Sequence, residues 1–218
     1  MALSTKNIKV GEGKLNKTIT PGNTIGKIYD LVLKPGYNPD SYYLVLMVET
    51  EPIENFEGFF IDSSNESKGR HKGQVGRIRS SQYAYETKTL PSGVKIDRDD
   101  NILKALMTIA KSQDTIDALN EIDVDTIEEF IEEAKDVVCN DKYLHFCIAG
   151  KTYTNKEGYP AYDCYLPKMD NKKYAISNSE DNVLIFSEDK HILAEKKKQT
   201  ESVESFEPQS NGNDFDMF

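Results

Sequence analysis

Tyr42-Tyr43-Leu44-Val45-Leu46-Met47-Val48 decides the fold class. The run is almost unbroken in aromatic, β-branched and aliphatic residues, the composition of a strand covered on both faces. Pro35-Gly36 and Asn38-Pro39-Asp40 precede it and stop any regular element there. Before those breakers, Ile25, Ile28, Tyr29, Leu31, Val32 and Leu33 make a second strand-like run, beginning near Thr24. Phe59-Phe60-Ile61 is a short third run leading into a loop over Ser63 to Gly76. That loop carries Gly69, Gly73 and Gly76, with Lys68, Arg70, His71 and Lys72 between them.

Gln74 to Tyr85 reads as a strand. A period of two puts Arg77, Arg79, Ser81, Tyr83 and Tyr85 on one face, unless a bulge near Ser80 shifts the register. Helices follow over about 99–138. Asp99 or Asp100 can cap the first, whose stripe is Ile102, Leu103, Leu106, Ile109 and Ala110. Asp125, with Glu128 three residues on, opens the second, which carries Ile127, Phe130, Ile131, Ala134 and Val138 on one side. Tyr143 to Tyr153 alternates as a strand, Asn155 to Gly158 turns, and Tyr159 to Leu166 returns. A last strand is expected over Asn182 to Phe186.

Three strands, a helical insert and two strands predict a mainly β domain with some α content. The order is that of a five-stranded antiparallel Greek-key barrel of the OB type, which carries its helix between strands three and four. We expect an N-terminal arm over 1–23, the barrel domain over 24–198, and a disordered acidic C-terminal tail over 199–218.

The net charge of −10 argues against a nucleic-acid binder only until its distribution is read. The tail from Gln199 carries −5, and the stretch Gln113 to Asp136 carries −9, leaving +4 for the rest. All the arginines, Arg70, Arg77, Arg79 and Arg98, fall in one short region. A field depends on where charges sit rather than on their sum. Lys68, Arg70 and Lys72 on a Gly-punctuated loop suit a phosphate backbone. Arg77 and Arg79 beside Tyr83 and Tyr85 join cations to rings, as an unpaired nucleic-acid strand requires. The later hairpin adds Lys151, Lys156, Tyr153, Tyr159 and Tyr165. Duplex recognition is disfavoured, because the clear helix shows Glu128, Glu129, Glu132, Glu133 and Asp136 and would be repelled.

No enzyme is expected. Gly150-Lys151-Thr152 copies the end of a P-loop, but the motif needs Gly where this chain has His145, and a helix where this chain continues as a strand. His145, Cys139, Cys147 and Cys164 fit no standard zinc spacing, so no metal or other cofactor is expected. Three oddly spaced cysteines, no apolar run long enough for a bilayer and no signal-like N-terminus predict a protein of the cytoplasm without membrane attachment.

The chain closes on Asp214-Phe215-Asp216-Met217-Phe218. Acids flanking rings suit a basic-rimmed apolar pocket on another protein, and an acidic tail near a cationic groove can also occupy that groove until nucleic acid displaces it. An OB-like barrel, a basic aromatic face and an acidic Phe-terminated tail resemble the single-stranded DNA-binding proteins of bacteria and phages. The segment Gly69 to Tyr85 resembles in particular those of tailed phages infecting Bacteroidetes. Met217 stands where bacterial members carry Pro. The resemblance implies a protein that coats transient single strands in phage DNA replication, recombination and repair, in the host cytoplasm. It also implies recruitment of replication or recombination proteins through the C-terminal tip, and leaves a homo-oligomer open. The competing expectations are a protein–protein adaptor or DNA mimic, from the acidic helix, and a small metal-dependent nuclease.

Overall fold

The computed structural model describes residues 18–61, 64, 65, 67 and 69–194. The tail, its five-residue tip, Lys68 and most of the expected arm lie outside those residues. Along the chain run β1 (Gly22–Pro35), β2 (Tyr42–Thr50), β3 (Phe59–Phe60), β4 (Arg70–His71), β5 (Val75–Arg79), β6 (Lys88–Thr89) and β7 (Lys95–Ile96). Then come α1 (Arg98–Gln113), α2 (Ile116–Asn120), α3 (Ile127–Val138), β8 (Leu144–Thr154), β9 (Pro160–Tyr165), β10 (Ile176–Ser177), α4 (Glu188–His191) and β11 (Ile192–Leu193).

The architecture is mainly β, built on one mixed seven-stranded sheet. β1 pairs antiparallel with β2, and β2 with β5. β5 meets β9 in parallel through Arg79 and Tyr165. β9 pairs antiparallel with β8, which returns to β1 from Gly22 opposite Ile148 to Gly26 opposite Leu144. The sheet is therefore not wholly antiparallel as expected. Two short strands are also added to β8, β10 antiparallel and β11 parallel.

Alternation explains the core. Leu44, Leu46 and Val48 of β2 point inward with Ile28 and Leu31 of β1, Ile78 of β5, and Leu144, Phe146 and Ile148 of β8, all fully buried. Val45 is buried on the outer face too, opposite Arg79, which is why this strand reads as an unbroken apolar run. Gly76 lets β5 approach the preceding chain, since a Cβ there would stand 2.7 Å from Ile19. Ile19 is itself part of the core and Thr18 bridges Val75, so the folded domain reaches into the stretch expected to be an arm.

The helices add a second layer. Asp97, not Asp99 or Asp100, caps α1, accepting from the Asp99 and Asp100 amides at 2.9 and 3.4 Å. Thr126 caps α3 one residue later than expected. Its Oγ1 accepts from the Glu129 amide at 3.2 Å and donates to the Glu129 carboxylate at 2.9 Å. Ile102, Leu106 and Ile109 of α1 and Ile131, Ala134 and Val138 of α3 join the core, and the five acids of α3 face solvent.

Two expected strands differ. β5 stops at Arg79, where the chain bends, instead of continuing to Tyr85. No strand spans Asn182 to Phe186: Glu180–Asn182 is a 3-10 turn, and Val183 makes one isolated bridge to Tyr174. Among the described residues no helix is long and apolar enough to cross a membrane.

Candidate nucleic-acid interface

Because Gly76 and Ile78 face the core, Val75, Arg77 and Arg79 of β5 project from the outer face. Opposite them on β2 stand Glu49, Met47 and Val45. On the β8–β9 side the same face carries Lys151, opposite Asp163, and Tyr153, opposite Ala161. The β3–β4 hairpin rises beside it. Between hairpin and sheet runs a groove of about 780 Å³, whose lining includes Tyr29, Met47, Phe60, Arg77, Lys151 and Tyr153. Arg77 and Lys151 are exposed and form no ion pair among the described residues.

Arg79 is placed differently. Its guanidinium meets Asp163 at 2.7 Å, lies 4.7 Å from the Tyr43 ring and 6.0 Å from the Tyr165 ring, and its side chain is 14 % exposed. It is a cross-strand clamp already supplied with an anion and aromatic faces. Its Nε is buried without a partner among the described residues. Arg70 stacks on Phe60 at 3.9 Å and reaches Glu57 at 3.2 Å, while the Lys72 ammonium donates to the Glu57 carbonyl at 2.7 Å.

The tyrosines separate. Tyr83, Tyr159 and Tyr153 are 67 %, 65 % and 42 % exposed, so their rings are open to a ligand. Tyr165 is buried beside Arg79, and burial raises its phenol pKa against the opposing guanidinium. Tyr85 does not share a face with Arg77. Beyond the bend its backbone bridges Tyr42, its hydroxyl lies 3.0 Å from Ser80, and it lines a second cavity beside Asn101, Lys104 and Ile109 of α1. Burial raises its pKa, with hydrogen bonds from Ser80 and Ser81 opposing.

Several groove residues were not singled out from the sequence. Phe60 and Ile61 looked like the lead into a loop, yet both line the groove. Tyr29 occupies a bulge between Ile28 and Asp30. Tyr37 does not line the groove; fully exposed in the β1–β2 loop, it carried a usable signal, an aromatic ring amid Pro35, Gly36, Asn38 and Pro39. His71 is buried with its Nδ1 3.1 Å from a Glu49 carboxylate oxygen and its ring 4.8 Å from that of Tyr29. Burial works to raise the Glu49 pKa. Hydrogen bonds from His71 and from the Lys72 and Gly73 amides outweigh it, and the net shift is downward.

Burial pushes the thiols of Cys139, Cys147 and Cys164 up to about 12, 11 and 11. All three are free cysteines. Among the described residues no three His, Cys, Asp or Glu side chains group as a metal site needs. No protein-family model matches the chain, and neither a curated protein nor a solved structure does.

Proposed function

We propose that this chain is a non-catalytic single-stranded DNA-binding protein built on an OB-type barrel. The observation that carries the reading is the meeting of unpaired cations and aromatic rings in the lining of one groove. Arg77 and Lys151 are unpaired among the described residues, and Phe60, Tyr29 and Tyr153 stand beside them. Phosphates take the cations and unpaired bases take the rings, without regard to sequence. The barrel reading is supported by the circuit β1-β2-β5-β9-β8-β1 and by helices inserted between β5 and β8, the third and fourth of these strands in chain order. In such barrels the loops joining strands one to two and four to five flank the binding face. Here those loops hold the exposed Tyr37 and Tyr159. The reading divides the expected site. Arg77, Lys151, Tyr153 and Tyr159 contact DNA directly, with Tyr83 at the Arg79 end, while Arg79 and Tyr165 shape the surface.

The wider role is coating of transient single strands in phage DNA replication, recombination and repair, with replication or recombination proteins recruited through Asp214 to Phe218. Fluorescence anisotropy with labelled oligothymidine tests the core claim. Binding is expected to weaken with salt, to differ little among base sequences and to exceed duplex binding; equal affinity for duplex and single strands refutes it. Removing residues 199–218 is expected to tighten DNA binding at low salt and to abolish partner recruitment. The exposed acidic side of α3 favours a second reading, a protein adaptor or DNA mimic, and absence of any oligothymidine shift would select it.

A further inference from the structure

Among the described residues the β3–β4 hairpin pairs with no strand of the main sheet. It forms a two-stranded sheet of its own, with only Phe59 opposite His71 and Phe60 opposite Arg70. So small a hairpin has marginal stability in water. Its position must come from what ties it to the barrel. Backbone ties run from the Ile53 amide to the Lys72 carbonyl at 3.0 Å and from the Thr50 amide to the Gln74 carbonyl at 2.9 Å, and Thr50 Oγ1 accepts from the Gln74 amide at 2.9 Å. A side-chain tie is Glu49 of β2. One of its carboxylate oxygens accepts from the Lys72 amide at 2.7 Å and the Gly73 amide at 3.4 Å, and the other meets His71 Nδ1. The His71 ring then packs on Tyr29 of β1. Glu49 thus fastens β4 to two barrel strands through side chains that are largely out of water.

The fastened hairpin presents Phe60 and Ile61 to the groove, facing the sheet that carries Arg77, Lys151 and Tyr153. We propose that Glu49 and His71 are positioning residues for strand discrimination. They hold Phe60 beside the cationic floor so that the groove is a slot for unpaired bases and not an open basic surface. The inference rests on the single-stranded DNA reading and assigns its selectivity to named residues.

The physical argument separates two contributions. Arg77 and Lys151 attract the phosphates of either nucleic-acid form, because both present them. An aromatic wall helps only a base whose faces are free. In a duplex those faces are already stacked, and a base must be taken out of the stack before it reaches the ring. Selectivity therefore follows the wall, and the wall follows the latch. The Arg70 guanidinium lies over one face of the Phe60 ring at 3.9 Å, so a stacked base takes the other ring face or the outer plane of the guanidinium.

The test compares oligothymidine with a blunt duplex, by anisotropy, for the full chain and two variants. Phe60→Leu keeps an apolar hairpin residue but removes the ring. Loss of one stacked base is expected to weaken single-strand binding about tenfold and leave duplex binding unchanged. Glu49→Ala is expected to lower the same ratio while speeding hydrogen exchange at the Lys72 and Gly73 amides, and Glu49→Gln, which keeps an acceptor for those amides, to restore part of it. An unchanged single-strand-to-duplex ratio in Phe60→Leu overturns the inference. So does an unchanged ratio in Glu49→Ala once those amides exchange faster. Should Glu49→Ala fail to fold, Phe60→Leu decides alone. A wild-type chain that ignores oligothymidine sinks the parent reading instead, a result distinct from either variant outcome.

Discussion

Arg77→Ala isolates the electrostatic half of the proposed interface. Arg77 is exposed, unpaired among the described residues and carried on β5 with its backbone locked opposite Met47. Removing it leaves no buried partner uncompensated, so the fold is expected to lose little stability. A cation on a single-strand phosphate contributes about 0.7 to the slope of log affinity against log salt. Wild type and variant should therefore converge as salt rises, their affinity ratio shrinking about 2.6-fold between roughly 50 and 200 mM. At low salt the loss of one charge-assisted contact should weaken binding roughly tenfold. Lys151→Ala is expected to lower the slope by the same amount, and the double variant by about 1.4, because the two cations lie on different strands and meet different phosphates. The assay is anisotropy with oligothymidine at five or six salt concentrations, with Arg79→Met as control. Arg79 already faces Asp163, so the control is expected to change affinity more than slope. An Arg77→Ala slope equal to that of wild type would mean that Arg77 touches no phosphate, whatever happens to the affinity.

Arg79→Ala removes a clamp between two tyrosines and an aspartate, and should cost about 2–4 kcal/mol in urea unfolding. Asp163→Asn should cost less, because that carboxylate is half exposed. Leu46→Ala, at a fully buried position of β2, should cost about 3–4 kcal/mol by the same assay. The thiol pKa values are raised in the fold, so the folded state holds its protons where the unfolded state releases them; stability should fall as pH climbs from about 9 through about 11. The Cys147 and Cys164 thiols should react with a thiol reagent only after unfolding. Glu49 is shifted the opposite way. Its contribution is present above its ordinary pKa and lost as pH falls below about 4.5, so the Lys72 amide resonance should begin to move only there.

Legibility in the sequence followed the range of the interactions. The long alternating elements β2 and β8, and the capped amphipathic helices, were readable because their signals are local: periodicity, cap chemistry and breakers. Cap positions slipped by one to three residues, since Asp97, Asp99, Asp100, Asp125 and Thr126 are all competent and only packing chooses among them. The parallel contact of β5 with β9 was invisible, because its two partners, Arg79 and Tyr165, lie far apart in sequence and no local pattern marks the pairing. The same contact separates two arginines that the sequence pattern had grouped. Alternation put Arg77 and Arg79 on one outer face, as observed, but Arg79 sits where β9 closes against β5 and meets Asp163 there. Arg77, two residues earlier, meets no acid among the described residues. Past Arg79 the chain bends and bridges Tyr42 instead, which takes Tyr85 to the helical side of the sheet. Residue type therefore announced a cationic aromatic surface, whereas the role of each cation was set by whether a distant acid reached it first. Free cations beside rings can exchange water for phosphate. Those already paired across strands hold the surface in shape, and on that division the groove has both a rigid frame and an open charge.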